Sequence, residues 1–223
     1  MTALSDESAS PGDPEFEAEA KAADRVVVFS DAVIAIAITL LALEIPVPVT
    51  RNLTNLGIWQ ALVRDRFDYL DFVISFLVIG THWATHRRIF RYVCRLGGNV
   101  GKLNMLWLLL MIVTPPATKL LAADGGALGV RFTIYALIQV IATACTMEMS
   151  REVRLGGMLR PDAPESARHP DLVPYLATML VFLVSIPVSY FSAWAFAIWA
   201  LSPLASRWLR VLAARRSIVA SPT

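Results

Sequence analysis

Charged residues are scarce in this chain: Asp, Glu, Lys and Arg make up 17% of its 223 residues, against 56% hydrophobic. A soluble domain carries a surface roughly a quarter charged or more, so a soluble globular fold is excluded. Cysteine is scarcer still. Cys94 and Cys145 lie in or beside apolar runs and far apart in sequence, which excludes a disulfide framework and the close spacing of a zinc site. The period-two alternation of barrel strands is missing, as is an internal repeat of the kind that two-half transporters carry. No charged-then-apolar signal peptide is present. Nor is there an excess of one charge: the net charge is +2, and the arginines gather at the ends of apolar runs, where lipid head groups lie. That pattern argues against a nucleic-acid partner.

What the chain has instead is long apolar sequence. Mean hydropathy is +0.57, and each run approaches the roughly 20 residues that a helix needs to cross about 30 Å of hydrocarbon. The runs predict an all-α integral membrane bundle of six spans, at 26–47, 67–89, 100–122, 128–149, 172–190 and 191–204. The sixth is short and ends near Pro203, so one interfacial excursion is its alternative. Residues 1–24, rich in Ala, Ser, Glu, Asp and Pro, read as a disordered cytoplasmic tail. Residues 25–206 form the membrane unit and 207–223 a basic cytoplasmic tail.

Lys and Arg mark the loops that stay inside. With the amino terminus inside, the second-to-third connection carries Arg87, Arg88, Arg91, Arg95 and Lys102. The fourth-to-fifth carries Arg151, Arg154, Arg160 and Arg168. The opposite side holds Arg51, Arg64, Arg66, Lys119 and Arg131. Both termini are therefore expected in the cytoplasm.

Asp31 lies inside the first apolar run, and an ionisable group at that depth marks a functional site by default. Ser30 and Asp31 stand about 8 to 9 Å in, at 1.5 Å per residue. His82 on the second span and Asn104 on the third fall at a similar depth. Polar side chains in lipid seek each other, so Asp31 is expected to accept a hydrogen bond from His82, with Asn104 and Ser30 completing the network. Two roles stay open, a structural clasp on the first helix and a titrating relay or gate. His82 and His86 are four apart and could share a metal. Glu is missing after the first His and no third ligand lies near in sequence, so no metal is expected. His86-Arg87-Arg88 reads as the point where the second helix meets the inner head groups.

At 100° per residue, Phe29, Ala32, Ile36, Leu40, Leu43 and Val47 fall within about 40° of Ile36, with Thr39 about 60° off that line. Ser30 and Asp31 point away by about 120° and 140°. One helix thus carries a polar side and a continuous aliphatic stripe. From periodicity alone the stripe faces lipid or core.

Arg25-x-x-x-Phe29-Ser30-Asp31 resembles the signature of the transmembrane-protein-175 family, the endolysosomal potassium channels and their prokaryotic relatives. Trp83-x-x-His86-Arg87-Arg88-x-Phe90, Leu103-Asn104 and Pro115-Pro116 look like the family too, so the resemblance covers about 25–121. Ile34 departs from it, standing where the family often has Phe. The resemblance implies that the first helix lines a pore, with Ile36 the narrowest ring, Thr39 a polar ring beside it, and Leu40 and Leu43 further apolar rings. It also implies a homotetramer, one such unit per chain, passing potassium ions in a bacterial inner membrane.

No Thr-Val-Gly-Tyr-Gly filter loop occurs in the sequence. A ring of Ile36 side chains offers an ion nothing for its lost water, so the less strongly hydrated potassium should pass more readily than sodium, and the ring can gate by dewetting. Glu44 could add a cation-attracting ring at the mouth or contact a neighbour. Arg25 falls on the pore-facing line and is expected to swing to Asp31 or to lipid phosphate. The rival class is a proton-coupled secondary transporter in which Asp31 and His82 titrate. A membrane enzyme finds no nucleophile-plus-oxyanion arrangement here, and no cofactor is called for.

Overall fold

The computed structural model describes residues 14–48, 54–123, 125–169, 171–192 and 195–200. Among the described residues eight helices follow one another: α1 (Pro14–Leu43), α2 (Asn55–Arg64), α3 (Arg66–Phe90), α4 (Val100–Ala122), α5 (Leu128–Leu155), α6 (Glu165–Arg168), α7 (Val173–Ser189) and α8 (Ala195–Ala200). α1, α3, α4, α5, α7 and α8 fall on the six expected spans, in order. For the last of these, residues 193–194 and 201–204 lie outside the described residues, as does the basic tail at 207–223. By length and composition α1, α4 and α5 are each apolar enough to cross a membrane, and α7 is a shorter apolar helix of 17 residues. α3 is 25 residues long, its apolar character diluted by Asp68, Asp71, His82, His86 and three arginines.

α1 corrects the second half of the expected tail, whose residues 1–13 lie outside the described residues. Residues 14–24 are its first three turns. Ala, Glu and Lys are strong helix formers, Glu15 and Glu17 sit where the helix dipole favours anions, and Glu17 pairs with Lys21 one turn on. Ala23 is buried in the core, which anchors the extension. At the other end α1 stops at Leu43, short of the expected 47, because Pro46 and Pro48 disfavour helix in the residues before them.

α1 packs on α3 and α4, α4 on α5, and α5 on α7, which carries α8. One core joins α1, α3, α4 and α5 through Ile34, Leu41, Ile79, Trp107 and Met149. A second joins α5, α7 and α8 through Phe132, Tyr135, Phe182 and Trp199. Large apolar side chains also remain exposed on α3, α4, α5 and α7, such as Leu77, Leu109, Leu137 and Leu180. A surface of that kind suits lipid and not water.

Pro115 and Pro116 stand inside α4, depriving the carbonyls of Met111 and Ile112 of their usual donors. The Thr114 hydroxyl beside them donates to the Leu110 carbonyl at 2.8 Å, and Thr118 donates to that of Thr114 at 2.9 Å.

The loops after α3 and α5 meet each other. Val93 and Leu159 form an antiparallel bridge, flanked by Cys94 N–H to Met158 O at 3.0 Å and Arg160 N–H to Tyr92 O at 2.8 Å. Glu152 of α5 accepts from the backbone N–H of Asn99 at 2.7 Å. Gly98 makes that possible. Its φ of +55° is left-handed, and a Cβ there would lie 2.9 Å from the Glu152 carboxylate.

Candidate functional site: a helix anchored on one side and bare on the other

The inward side of α1 is Ser30, Ile34, Ala37 and Leu41, all buried. Their spacing of four, three and four is the helical repeat of one face. The opposite side is open: Ile36 is 57% exposed and Leu43 80%, with Phe29, Ala32, Leu40 and Val47 exposed beside them. Every residue of the aliphatic stripe is thus on the outer surface of the chain and none is in its core. Thr39 is exposed as well, and its hydroxyl donates to the Ile36 carbonyl at 2.8 Å.

Ser30 begins a chain of hydrogen bonds whose direction is determined by its members. The Ser30 hydroxyl donates to the Val26 carbonyl at 2.7 Å, so it accepts from the Asn104 amide, at 3.1 Å. The Asn104 carbonyl oxygen can only accept, so His86, 2.9 Å away, carries its proton on Nε2. The His86 ring lies flat against Trp107, with centroids 4.5 Å apart and planes at 6°, and stacks on Phe90 at 4.4 Å. Trp107 in turn donates its indole N–H to His82 Nδ1 at 3.4 Å. Ser30, His82, His86, Asn104 and Trp107 are all buried.

This arrangement corrects the expected network in two places. His86, not His82, joins Asn104 and Ser30. The two histidines share one face of α3, and periodicity alone does not say which of two successive turns lies level with α1. His86 is accordingly buried inside the protein. Asp31 accepts from Trp83 at 2.8 Å instead of from a histidine, because it lies about 100° round the helix from Ser30 and comes out at the edge where α1 and α3 meet. The Arg87 guanidinium sits over that Trp83 ring, 5.1 Å from its centre. Arg25 is exposed, and among the described residues no hydrogen bond joins it to Asp31.

Sequence reasoning missed Trp83 and Trp107 as members of the site. The available signal was that indole N–H groups are obligate donors, and Asp31 and His82 were in need of one. A second polar cluster also went unread. The Ser75 hydroxyl lies 3.1 Å from that of Tyr135 and 2.8 Å from that of Thr118, whose own proton goes to the Thr114 carbonyl, and Gln139 donates to Thr114 at 3.4 Å. Asp71, Ser75, His82 and His86 are all buried and share one side of α3, a pattern present in the spacing of the sequence. Near the far end of α1, Glu44 pairs with Lys119 of α4 at 2.8 Å, so a contact between neighbouring helices holds that carboxylate.

Fold and site define an all-α integral membrane protein whose first helix is fastened to α3 and α4 by directed hydrogen bonds and leaves an aliphatic face uncovered. The family model described as endosomal/lysosomal potassium channel TMEM175 matches residues 25–115. A potassium channel of Streptomyces collinus is 33% identical over 173 residues, 76% of this chain and 83% of the relative. A potassium channel of Chamaesiphon minutus is 42% identical over 98 residues, 44% of this chain and 48% of that one. Among solved structures, the lysosomal potassium-selective channel TMEM175 homolog from Chamaesiphon minutus superposes with a TM-score of 0.68 at 27% identity, covering 85% of this chain and 98% of the other. The chain belongs to the TMEM175 potassium channel family, a family of ion channels and not of enzymes.

Proposed function

We propose that four copies of this chain surround a path for potassium ions lined by the bare face of α1, with Ile36 at its narrowest level, Thr39 next to it, and Leu40 and Leu43 beyond. The observation that carries this reading is the exposure of the whole stripe on a helix whose other side is buried and hydrogen-bonded. A lone α1 cannot enclose an ion path, and a closed ring of copies satisfies the uncovered face by symmetry. At the Ile36 level an ion exchanges water for methyl groups, so potassium passes at a smaller dehydration cost than sodium, with modest selectivity, and a dewetted ring blocks both. The distribution of Lys and Arg supports both termini in the cytoplasm, and the bacterial relatives support a bacterial inner membrane as the site.

The carrier reading has Asp31 and His82 titrate during the transport cycle. They bond to different tryptophans, Trp83 and Trp107, and no observation favours it.

Reversal potentials in mixed potassium and sodium test the reading, with mass measurement in mild detergent as the companion. Ile36→Asn places water-binding amides at the constriction, so conductance should rise and discrimination should fall in a particle of four copies. Unchanged selectivity in a well-folded variant would move the constriction to Leu40 or Leu43, and a stable monomer would end the pore model.

A further inference from the structure

α2 has apolar residues on both sides. Gly57, Ile58, Ala61 and Leu62 lie toward the bundle, and of these only Ala61 is fully buried. Leu56, Trp59 and Val63 fall within about 60° of one another on the other side, where Leu56 is 66% and Trp59 65% exposed. A ten-residue helix is too short to hold itself in water, where helices below roughly 12 to 15 residues are marginal. Its cap, the Thr54 hydroxyl accepting from Gly57 N–H at 3.1 Å, and the burial of Ala61 do not cover the outward apolar face.

That face continues past the single residue Asp65 into α3, where Phe67 and Leu70 are exposed in its first turns. Two cations stand at this junction. Arg66 lies over the Phe67 ring, 4.5 Å from its centre, and Arg64 bonds to Asp65 at 2.6 Å. Indole and guanidinium groups with apolar neighbours are what the boundary between head groups and acyl chains selects, since each has an apolar body and a polar tip.

We propose that α2 is an interfacial anchor, lying in the bilayer surface with Leu56, Trp59 and Val63 turned into the acyl region and Arg64 and Arg66 at the phosphates. Phospholipid is the occupant that fits, because the patch is continuous with the outward face of α3 and has cations along its edge. A second copy of the chain would have to leave those cations facing protein.

The test places an environment-sensitive fluorophore on Leu56→Cys in the full chain, reconstituted in phosphatidylcholine and phosphatidylglycerol vesicles. Cys94 and Cys145 are buried and stay unlabelled. The expected result is emission at shorter wavelength, quenching by lipid that carries a doxyl group high on the acyl chain, and protection from aqueous iodide. Adding Trp59→Asp should turn this round, with iodide quenching gained and doxyl quenching lost. Quenching by iodide in the parent would overturn the anchor. So would insensitivity to both quenchers, which assigns the patch to protein, and disulfide-linked pairs of Leu56→Cys chains would then identify that protein as another copy.

Discussion

Between α1, α3 and α4 the residues that meet carry directed polar groups, with Ser30, Asn104 and His86 in one chain of bonds and Asp31 with Trp83 in another. Between α5, α7 and α8 they meet as rings: Trp199 stacks on Phe132 at 4.3 Å and Tyr135 at 5.2 Å, and its indole N–H donates to Ser185 at 2.9 Å. In lipid, apolar surface gains little from turning toward a neighbouring helix, and packing alone tolerates a helix that slides or rotates. Hydrogen bonds do not tolerate it. The first seam therefore fixes the rotation of α1, and with it the direction of Ile36, while the second fills space. The family match covers 25–115, from the Arg25 motif into α4, which is the directed half.

The comparison is most open to breaking at Asn104. Asn104→Leu strands the His86 N–H and removes the donor to Ser30, at a cost of about 1–3 kcal/mol for each buried group left unpaired. Thermal unfolding in detergent should show the loss, and an unchanged midpoint would mean that packing, not bonding, holds the first seam. Trp199→Phe removes the Ser185 hydrogen bond of the second seam and keeps most of its ring stacking. About 0.6 kcal/mol is expected, the mean for an interhelical hydrogen bond in a membrane bundle. A larger drop than for Asn104→Leu would reverse the contrast.

The smallest effect belongs to the exposed Arg64–Asp65 pair at the α2–α3 junction. The Arg64 hydrogen bond holds the Asp65 carboxyl below the ordinary carboxylate range. A lowered pKa contributes stability above the unfolded value and loses it as pH falls through the folded one. Exchange at the last amides of α2, taken relative to the intrinsic rate at each pH, should therefore be unaffected by pH near neutrality and rise only in strong acid, and Asp65→Asn should abolish that dependence. A rise beginning above the carboxylate range would assign it to another group.

The limits of α4, 100–122, were legible in the sequence, since its apolar run is bounded at both ends by glycine or charge. So were the stripe on α1 and the inward turn of Ser30 and Asn104, because these follow from angle alone. The partner of Asn104 was not. Angle places His82 and His86 equally well, and the choice is a translation of one turn along the axis that no local pattern encodes. α2 escaped because two or three turns give too few repeats to show a period. The first turns of α1 escaped because Glu15, Glu17 and Glu19 read as solvated tail, although alanine and glutamate favour helix wherever an anchor such as Ala23 is found.

α1 is one uninterrupted helix of 30 residues, a rod of about 45 Å where the hydrocarbon core is about 30 Å thick. Roughly a third of it stands clear of the hydrocarbon, continuous with the turns that carry the stripe. Its mechanics are those of a shaft: a torque applied to the projecting end arrives at Ile36 without slack. Ile36 has Ala35 and Ala37 on either side, so a turn of about 100° would replace a four-carbon edge by a methyl group. Spin-label distances between copies at position 36 would register such a turn directly. In the pore reading, the bore is then set by an angle, and the tumblers of the lock are Ser30, Asn104 and His86.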